Sequence, residues 1–171
     1  MNDIIKHSIR FVALVIAQAY ILNQLEIGFG IQLMVYPLLI FLLPFELGLI
    51  YLMLIAFVMG VLIDAVSNTY GLHTSSLLLF AYLRPFIMKV FSPRDGYENQ
   101  REGNIFEMGP RWFLFVFGTL LAIHHFWFFL LEIFRFDEFF FILQKTILSL
   151  PISYMLCYFL QALFVSKPKE R

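Results

Sequence analysis

Hydrophobic side chains gather in six long runs: Ile9–Leu25, Gly28–Leu43, Phe45–Val66, Leu72–Phe91, Trp112–Leu131 and Phe139–Val165. The hydrocarbon core of a bilayer takes about 20 apolar residues per helix, with a workable range of about 17–25. Each run therefore reads as one membrane span. The expected fold class is all-α, a polytopic membrane protein of six transmembrane helices forming a single domain over residues 1–171. The second run is short and Pro37 interrupts it, so a half-span that re-enters is the competing reading. Pro44-Phe45-Glu46 separates the second run from the third, because proline disfavours helix at the residue before it. The sixth run is long and holds Pro151, which is expected to kink that helix rather than end it. Gly28-Phe29-Gly30 predicts a tight turn on the outer side.

Composition strengthens the membrane reading. The chain is 61% hydrophobic and only 14% charged, with 22 Phe among 171 residues, and its mean hydropathy is +0.82. Soluble domains carry about 25% charged residues, and a chain this short cannot bury so much apolar surface in water. A lipid bilayer can cover it. The formal net charge is zero, which gives no electrostatic footprint for a nucleic-acid partner. Lys6 and Arg10 followed by Phe11–Leu22, with Ala17-Gln18-Ala19 as a small-residue site, resemble a signal peptide. The apolar run continues past that site and five more follow, so the segment reads as an uncleaved first span.

Charge placement tests the count. Lys6 and Arg10 precede the first span; Arg84, Lys89, Arg94, Arg101 and Arg111 lie in or beside the connection after the fourth; Lys167, Lys169 and Arg171 close the chain. These groups share one side only if all six runs cross. The positive-inside rule then places both termini in the cytoplasm. The connection after the fifth span (Glu132, Arg135, Asp137, Glu138) is net acidic, as an outside loop can be. Residues 92–111 form the long polar connection, read as a solvated cytoplasmic linker, with a docking loop for a cytoplasmic partner as the sharper alternative. The tail 166–171 is expected to be disordered.

Candidate chemistry is sparse. The glycines are scattered, so no phosphate-cradling loop is expected. Ser67, His73 and Asp64 could form a triad on paper, but nothing marks the serine as activated, and the protein is read as non-enzymatic, without catalytic residues, cofactor or metal. His124 and His125 point about 100° apart on a helix and cannot share a face. They are expected to hydrogen-bond to neighbouring helices or to sit near the outer interface. Cys157, in an apolar run, reads as a small buried hydrophobe. Ionisable groups inside spans are costly and usually face the bundle interior. Depth would let Asp64 meet His73 or Lys145, and His124 and Lys145 make a candidate polar cluster in the outer half. Arg84, beside Pro85, is expected to snorkel to the cytoplasmic headgroups. Gly118 and Ala122, spaced i,i+4, are a weak small-xxx-small packing signal.

One stretch carries a family resemblance. Gly60-x3-Asp64-x6-Gly71-x-His73, followed by the apolar helix Thr74–Tyr82, resembles the MreD family of rod-shape-determining proteins of the bacterial inner membrane. The span with Pro37 and the charged connection after the fourth span fit the same layout. The resemblance covers about 25 residues as motif and most of the chain as layout. It implies a non-catalytic protein of the elongation machinery that maintains rod shape and side-wall peptidoglycan synthesis. The partners it implies are an MreC-like bitopic membrane protein, an MreB-like actin filament, and a peptidoglycan glycosyltransferase with its transpeptidase. Gly60 and Gly71 would allow close helix approach and the turn, with Asp64 and His73 as the polar group at the outer end, a partner-interface or packing motif. In size and span count the chain is also similar to the substrate-binding subunits of energy-coupling-factor vitamin transporters. That alternative implies an outer pocket lined by residues such as Asp64, His73, His124 and Trp127.

Overall fold

A computed structural model of the chain describes residues 3–25, 27–93, 96–97 and 102–165. Among these the architecture is helical, with one isolated backbone bridge between Ile27 and Ile31. α1 (Asp3–Ile16) continues through a widened π turn (Ala17–Ile21) and a 3₁₀ turn (Leu22–Gln24); α2 is short (Pro37–Leu42). Then come α3 (Leu49–Ser67), α4 (Leu72–Val90), the short α5 (Ile105–Met108), α6 (Pro110–Ile133) and α7 (Phe139–Phe164). Four helical segments are long and apolar enough to cross a membrane: Asp3–Gln24, Leu49–Ser67, Pro110–Ile133 and Phe136–Gln161. α4 has the length, at 19 residues, but His73, Thr74, Ser75, Ser76, Arg84 and Lys89 dilute its hydropathy.

The second run departs from the expectation of a transmembrane helix. After the Gly28–Gly30 turn, residues 32–35 are without helix, and only Pro37–Leu42 coils. The turn itself forms as expected, with Phe29 and Gly30 at positive φ (64° and 71°). Leu43 has ψ 151°, the extended conformation that a following proline imposes. The segment is nevertheless the centre of the molecule: every residue from Leu33 to Leu43 is buried. Its upper end meets Glu132, near the end of α6, through Gln32; its lower end meets Arg84, in the last part of α4, through the carbonyls of Phe41 and Leu43. It therefore runs from one end of the bundle to the other, though not as one helix.

An extended chain inside an apolar bundle must find hydrogen-bond partners outside itself. Side chains of two helices supply them. Gln18, brought inward on the π turn and fully buried, donates to Leu33 O at 2.8 Å and accepts from Val35 N–H at 2.9 Å. From α7, Ser149 Oγ accepts from Gln32 N–H at 3.1 Å and Ser153 Oγ from Met34 N–H at 3.0 Å. Cys157 Sγ lies 3.9 Å from the carbonyls of Met34 and Val35. Ser149, Ser153, Cys157 and Gln161 recur every fourth residue, one stripe along a helix. At the foot of that stripe Gln161 Oε1 accepts from Ile105 N–H at 3.0 Å.

The prolines inside α4 and α7 do not end those helices: α4 passes through Pro85 and α7 through Pro151. The lower half of the core is aromatic. Phe41 of α2 packs edge-on against Phe113 and Phe117 of α6, with ring centroids 5.4 and 4.9 Å apart. Part of the connection between α4 and α6 also enters the bundle rather than lying in solvent. Glu102 and Asn104 are 7% and 1% exposed; Asn104 caps α5 by accepting from Phe106 and Glu107 N–H. Glu102 pairs with Arg10 at 3.0 Å and with Lys6, which ties this connection to α1. Arg94, Arg101 and the tail 166–171 lie outside the described residues. Gly118 has nothing within 4 Å of where a Cβ would sit, so this glycine closes no helix contact among the described residues.

Candidate functional site

The turn between α3 and α4 is built around a helix start that lacks its own cap. Gly71 occupies the cap position at φ 92° and has no side chain to offer, yet the first N–H groups of a helix need acceptors. Asp64, seven residues earlier on the last turn of α3, supplies them. Its Oδ1 accepts from His73 N–H at 3.0 Å and its Oδ2 from Thr74 N–H at 2.9 Å. Three side chains complete the shell: Thr69 Oγ1 at 2.6 Å, Thr74 Oγ1 at 2.6 Å and His73 Nδ1 at 3.0 Å. With a carboxylate opposite it, Nδ1 carries the imidazole proton. Asp64 and His73 are 8% and 2% exposed. The carboxylate is thus both buried and fully solvated by donors, the arrangement that makes a buried charge tolerable.

Gly60 explains how the two helices come close enough for this. A Cβ there would stand 2.4 Å from Thr74 Cα and 2.9 Å from Thr74 N, closer than any real Cβ contact with backbone. Asn68 and Tyr70, at φ 55° and 44°, complete the reversal. The four residues of the motif are therefore one connected unit: Gly60 sets the approach, Gly71 the turn, Asp64 the cap, and His73 the side-chain donor.

His73 Nε2 lies 3.5 Å from Asn23 Nδ2, and Asn23 also donates to Ser67 Oγ at 2.7 Å. These groups line a cavity of about 360 Å³ at the upper end, together with Gln24, Gln32 and Glu132. Of the residues that the transporter alternative places in an outer pocket, His73 alone lines this cavity. Asp64 is closed off behind it. His124 is fully buried and shares a 2.7 Å hydrogen bond with the Tyr36 hydroxyl, while Trp127 Nε1 donates to Ser75 Oγ at 2.9 Å. His125 donates from Nδ1 to Leu121 O at 2.9 Å, so its Nε2 accepts from Ser153 Oγ at 3.1 Å. Each histidine of the pair thus has its own hydrogen bond, one to the central segment and one to α7.

Lys145 meets neither Asp64 nor His124. Its Nζ donates to Glu132 Oε2 at 2.6 Å and sits 4.7 Å above the Phe129 ring. Glu132 also accepts from Gln32 Nε2 at 2.8 Å, so this ion pair pins the start of the extended segment to the α6–α7 hairpin. Arg84 corrects a further expectation. Instead of snorkelling outward it is 2% exposed and turns inward to donate to the carbonyls that end α2. A cation there also suits the negative end of the short helix. Among the described residues no group of three or more His, Cys, Asp or Glu side chains gathers as metal ligands would.

Sequence reasoning missed Gln18, Gln32, Ser149, Ser153 and Glu132. The four-residue recurrence of Ser149, Ser153, Cys157 and Gln161 was the signal for one polar stripe on an otherwise apolar helix. Comparison with family models, with curated proteins and with solved structures returns no match.

Proposed function

We propose that this chain is a non-catalytic, multi-pass scaffold of the bacterial inner membrane, of the MreD type, serving the machinery that elongates the cell wall. The observation that carries this reading is the closed α3–α4 hairpin. The residues of the Gly60–His73 motif are all engaged in packing and capping, and the Asp64 carboxylate has donors on both oxygens. Such a motif shapes a bundle rather than performing chemistry. In this reading all six passes cross the bilayer and both termini are cytoplasmic. The second pass is long enough: residues 31–35 and 43 extended at about 3.3 Å each, and 36–42 helical at about 1.5 Å each, reach about 30 Å. The lower end carries Lys6, Arg10, Arg84, Lys89 and Arg111, against Arg135 and Lys145 at the upper end, the imbalance a cytoplasmic face has.

A scaffold acts through the faces it presents. Between α1 and α3 a lateral groove of about 610 Å³ is lined by Phe11, Val12, Leu39, Leu43, Leu54 and Val58. This groove takes the single membrane helix of an MreC-like bitopic partner; the actin-like filament and the wall-building enzymes belong to the same assembly. Depletion in the native bacterium, combined with photocrosslinking from Val58, tests the reading. Rounded cells and capture of a single-span protein are expected. Unchanged shape overturns it.

A second reading has a specific observation behind it. The upper cavity, with His73, Asn23, Gln32 and Glu132, falls in the size range of small-molecule sites, about 300–1,000 Å³. It supports a substrate-binding subunit of a vitamin or other small-molecule transporter. Co-purification of a small molecule with ATPase-coupled membrane subunits would favour it.

A further inference from the structure

Arg84 is a cation buried at the lower end of the bundle without an acidic partner among the described residues. Its Nη2 is occupied by two backbone carbonyls, while its Nε is buried with no hydrogen-bond partner. No carboxylate among the described residues pairs with Arg84 or with the exposed Lys89 five residues further on. Charges inside membrane proteins normally pair with one another or with backbone carbonyls, or mark a ligand path; here the two carbonyls take Nη2 and leave the charge without a counter-anion among the described residues. Both cations line a cavity of about 220 Å³ between the start of α3 and the end of α4, closed by Phe45, Ser92 and Tyr97. Burial pushes the Tyr97 hydroxyl above the ordinary tyrosine value, so it stays neutral; it donates to Met88 O at 2.6 Å.

We infer that this cavity holds the phosphate of an anionic glycerophospholipid. The cavity is smaller than sites that enclose a whole small molecule, so it accommodates a headgroup whose chains lie outside. The outer walls suit those chains. Ile50 and Tyr51 of α3 and Tyr82 and Phe86 of α4, the two helices that wall the cavity, are exposed apolar side chains. Basic pockets between helices near the cytoplasmic side are the usual seats of anionic headgroups. Arg84 forms the fixed floor, held by the end of α2, and Lys89 the adaptable rim. The site depends on the chain lying in a membrane with its lower end cytoplasmic, and not on the scaffold role itself.

Native mass spectrometry of the full chain, released from mixed vesicles of phosphatidylglycerol and phosphatidylethanolamine, tests this inference. The wild type is expected to retain phosphatidylglycerol selectively. Lys89→Gln, an exposed substitution that leaves folding intact, is expected to lower that retention about fivefold. Arg84→Lys keeps the charge but not the planar fork and is expected to retain lipid less well than the wild type while keeping its selectivity. Equal retention of the two lipids by the wild type overturns the inference. Displacement of phosphatidylglycerol by millimolar inorganic phosphate overturns the lipid assignment in favour of a free anion. Failure here with rounded cells on depletion would leave the scaffold reading standing.

Discussion

At the scale of single residues, Gly60 and Asp64 decide how α3 meets α4. A methyl group at residue 60 would press on the Thr74 backbone at 2.4 Å, and backbone cannot step aside as a flexible side chain can. Gly60→Ala is expected to destabilise by about 1–3 kcal/mol, the usual range for overpacking. Gly118→Ala provides the contrast on the same kind of helix. Nothing lies within 4 Å of that site, so the helix gains about 0.5–1 kcal/mol in propensity. Thermal unfolding of the two variants in detergent should shift in opposite directions. Asp64→Ala removes the acceptor for five donors at once. A lost cap costs about 0.5–2 kcal/mol, and buried donors left unmatched add about 1–3 kcal/mol, so we expect a larger loss than for Gly60→Ala. The same unfolding measurement checks it, and an Asp64→Ala variant as stable as the wild type would refute the capping role.

At the scale of elements, the central segment and the α7 stripe are one device. Helices satisfy their own backbone, so they tolerate apolar neighbours; residues 32–35 do not, and Gln18, Ser149 and Ser153 complete them. Ser153→Ala would strand Met34 N–H and His125 Nε2 together and is expected to cost about 1–3 kcal/mol. Gln18→Leu should be more severe, because it removes partners from Leu33 and Val35 in one step. Hydrogen exchange reads this directly: the Gln32, Met34 and Val35 amides should be protected in the wild type. Met34 should lose protection in Ser153→Ala and Val35 in Gln18→Leu. Unchanged exchange would mean that these amides are held by something else. These elements also mark how far the sequence could be read. Hydropathy located the apolar runs and the polar breaks, because burial in lipid or in a bundle needs the same residues. It could not separate a buried helix from a buried extended segment over Ile31–Leu43, since both read as continuous apolar runs. The Asp64–His73 contact was legible only as one of two options of matching depth, Lys145 being the other, and the structure takes the one across the tight turn. The Lys145–Glu132 and Arg84–Leu43 partnerships were not. They depend on which helix lies next to which, and hydropathy carries no information about that.

At the scale of the whole molecule, charged groups collect at the two ends, and the middle is mostly aromatic and aliphatic with the hydrogen-bonded Gln18, His124, His125 and Ser153 inside it. The upper end is held by Asp64–His73 and Glu132–Lys145, the lower by Glu102 with Arg10 and Lys6. Between them the core includes Phe41, Phe80, Phe113 and Phe117. This division matches a bilayer that is polar at its faces and apolar within. What joins the ends is the central segment, and whether it passes from one membrane face to the other decides the topology of everything after it. If residues 31–43 cross, the Gly28–Gly30 turn and the turn after Pro44 lie on opposite sides of the membrane. Phe29 is 80% exposed and Glu46 is exposed, so single cysteines at both sites are reachable, while the native Cys157 is fully buried. Labelling Phe29→Cys and Glu46→Cys in intact cells with a membrane-impermeant maleimide is the most direct test. We expect Phe29→Cys to react from outside and Glu46→Cys only after the membrane is opened. Reaction of both from the same side would contradict a crossing central segment and the six-pass scaffold built on it.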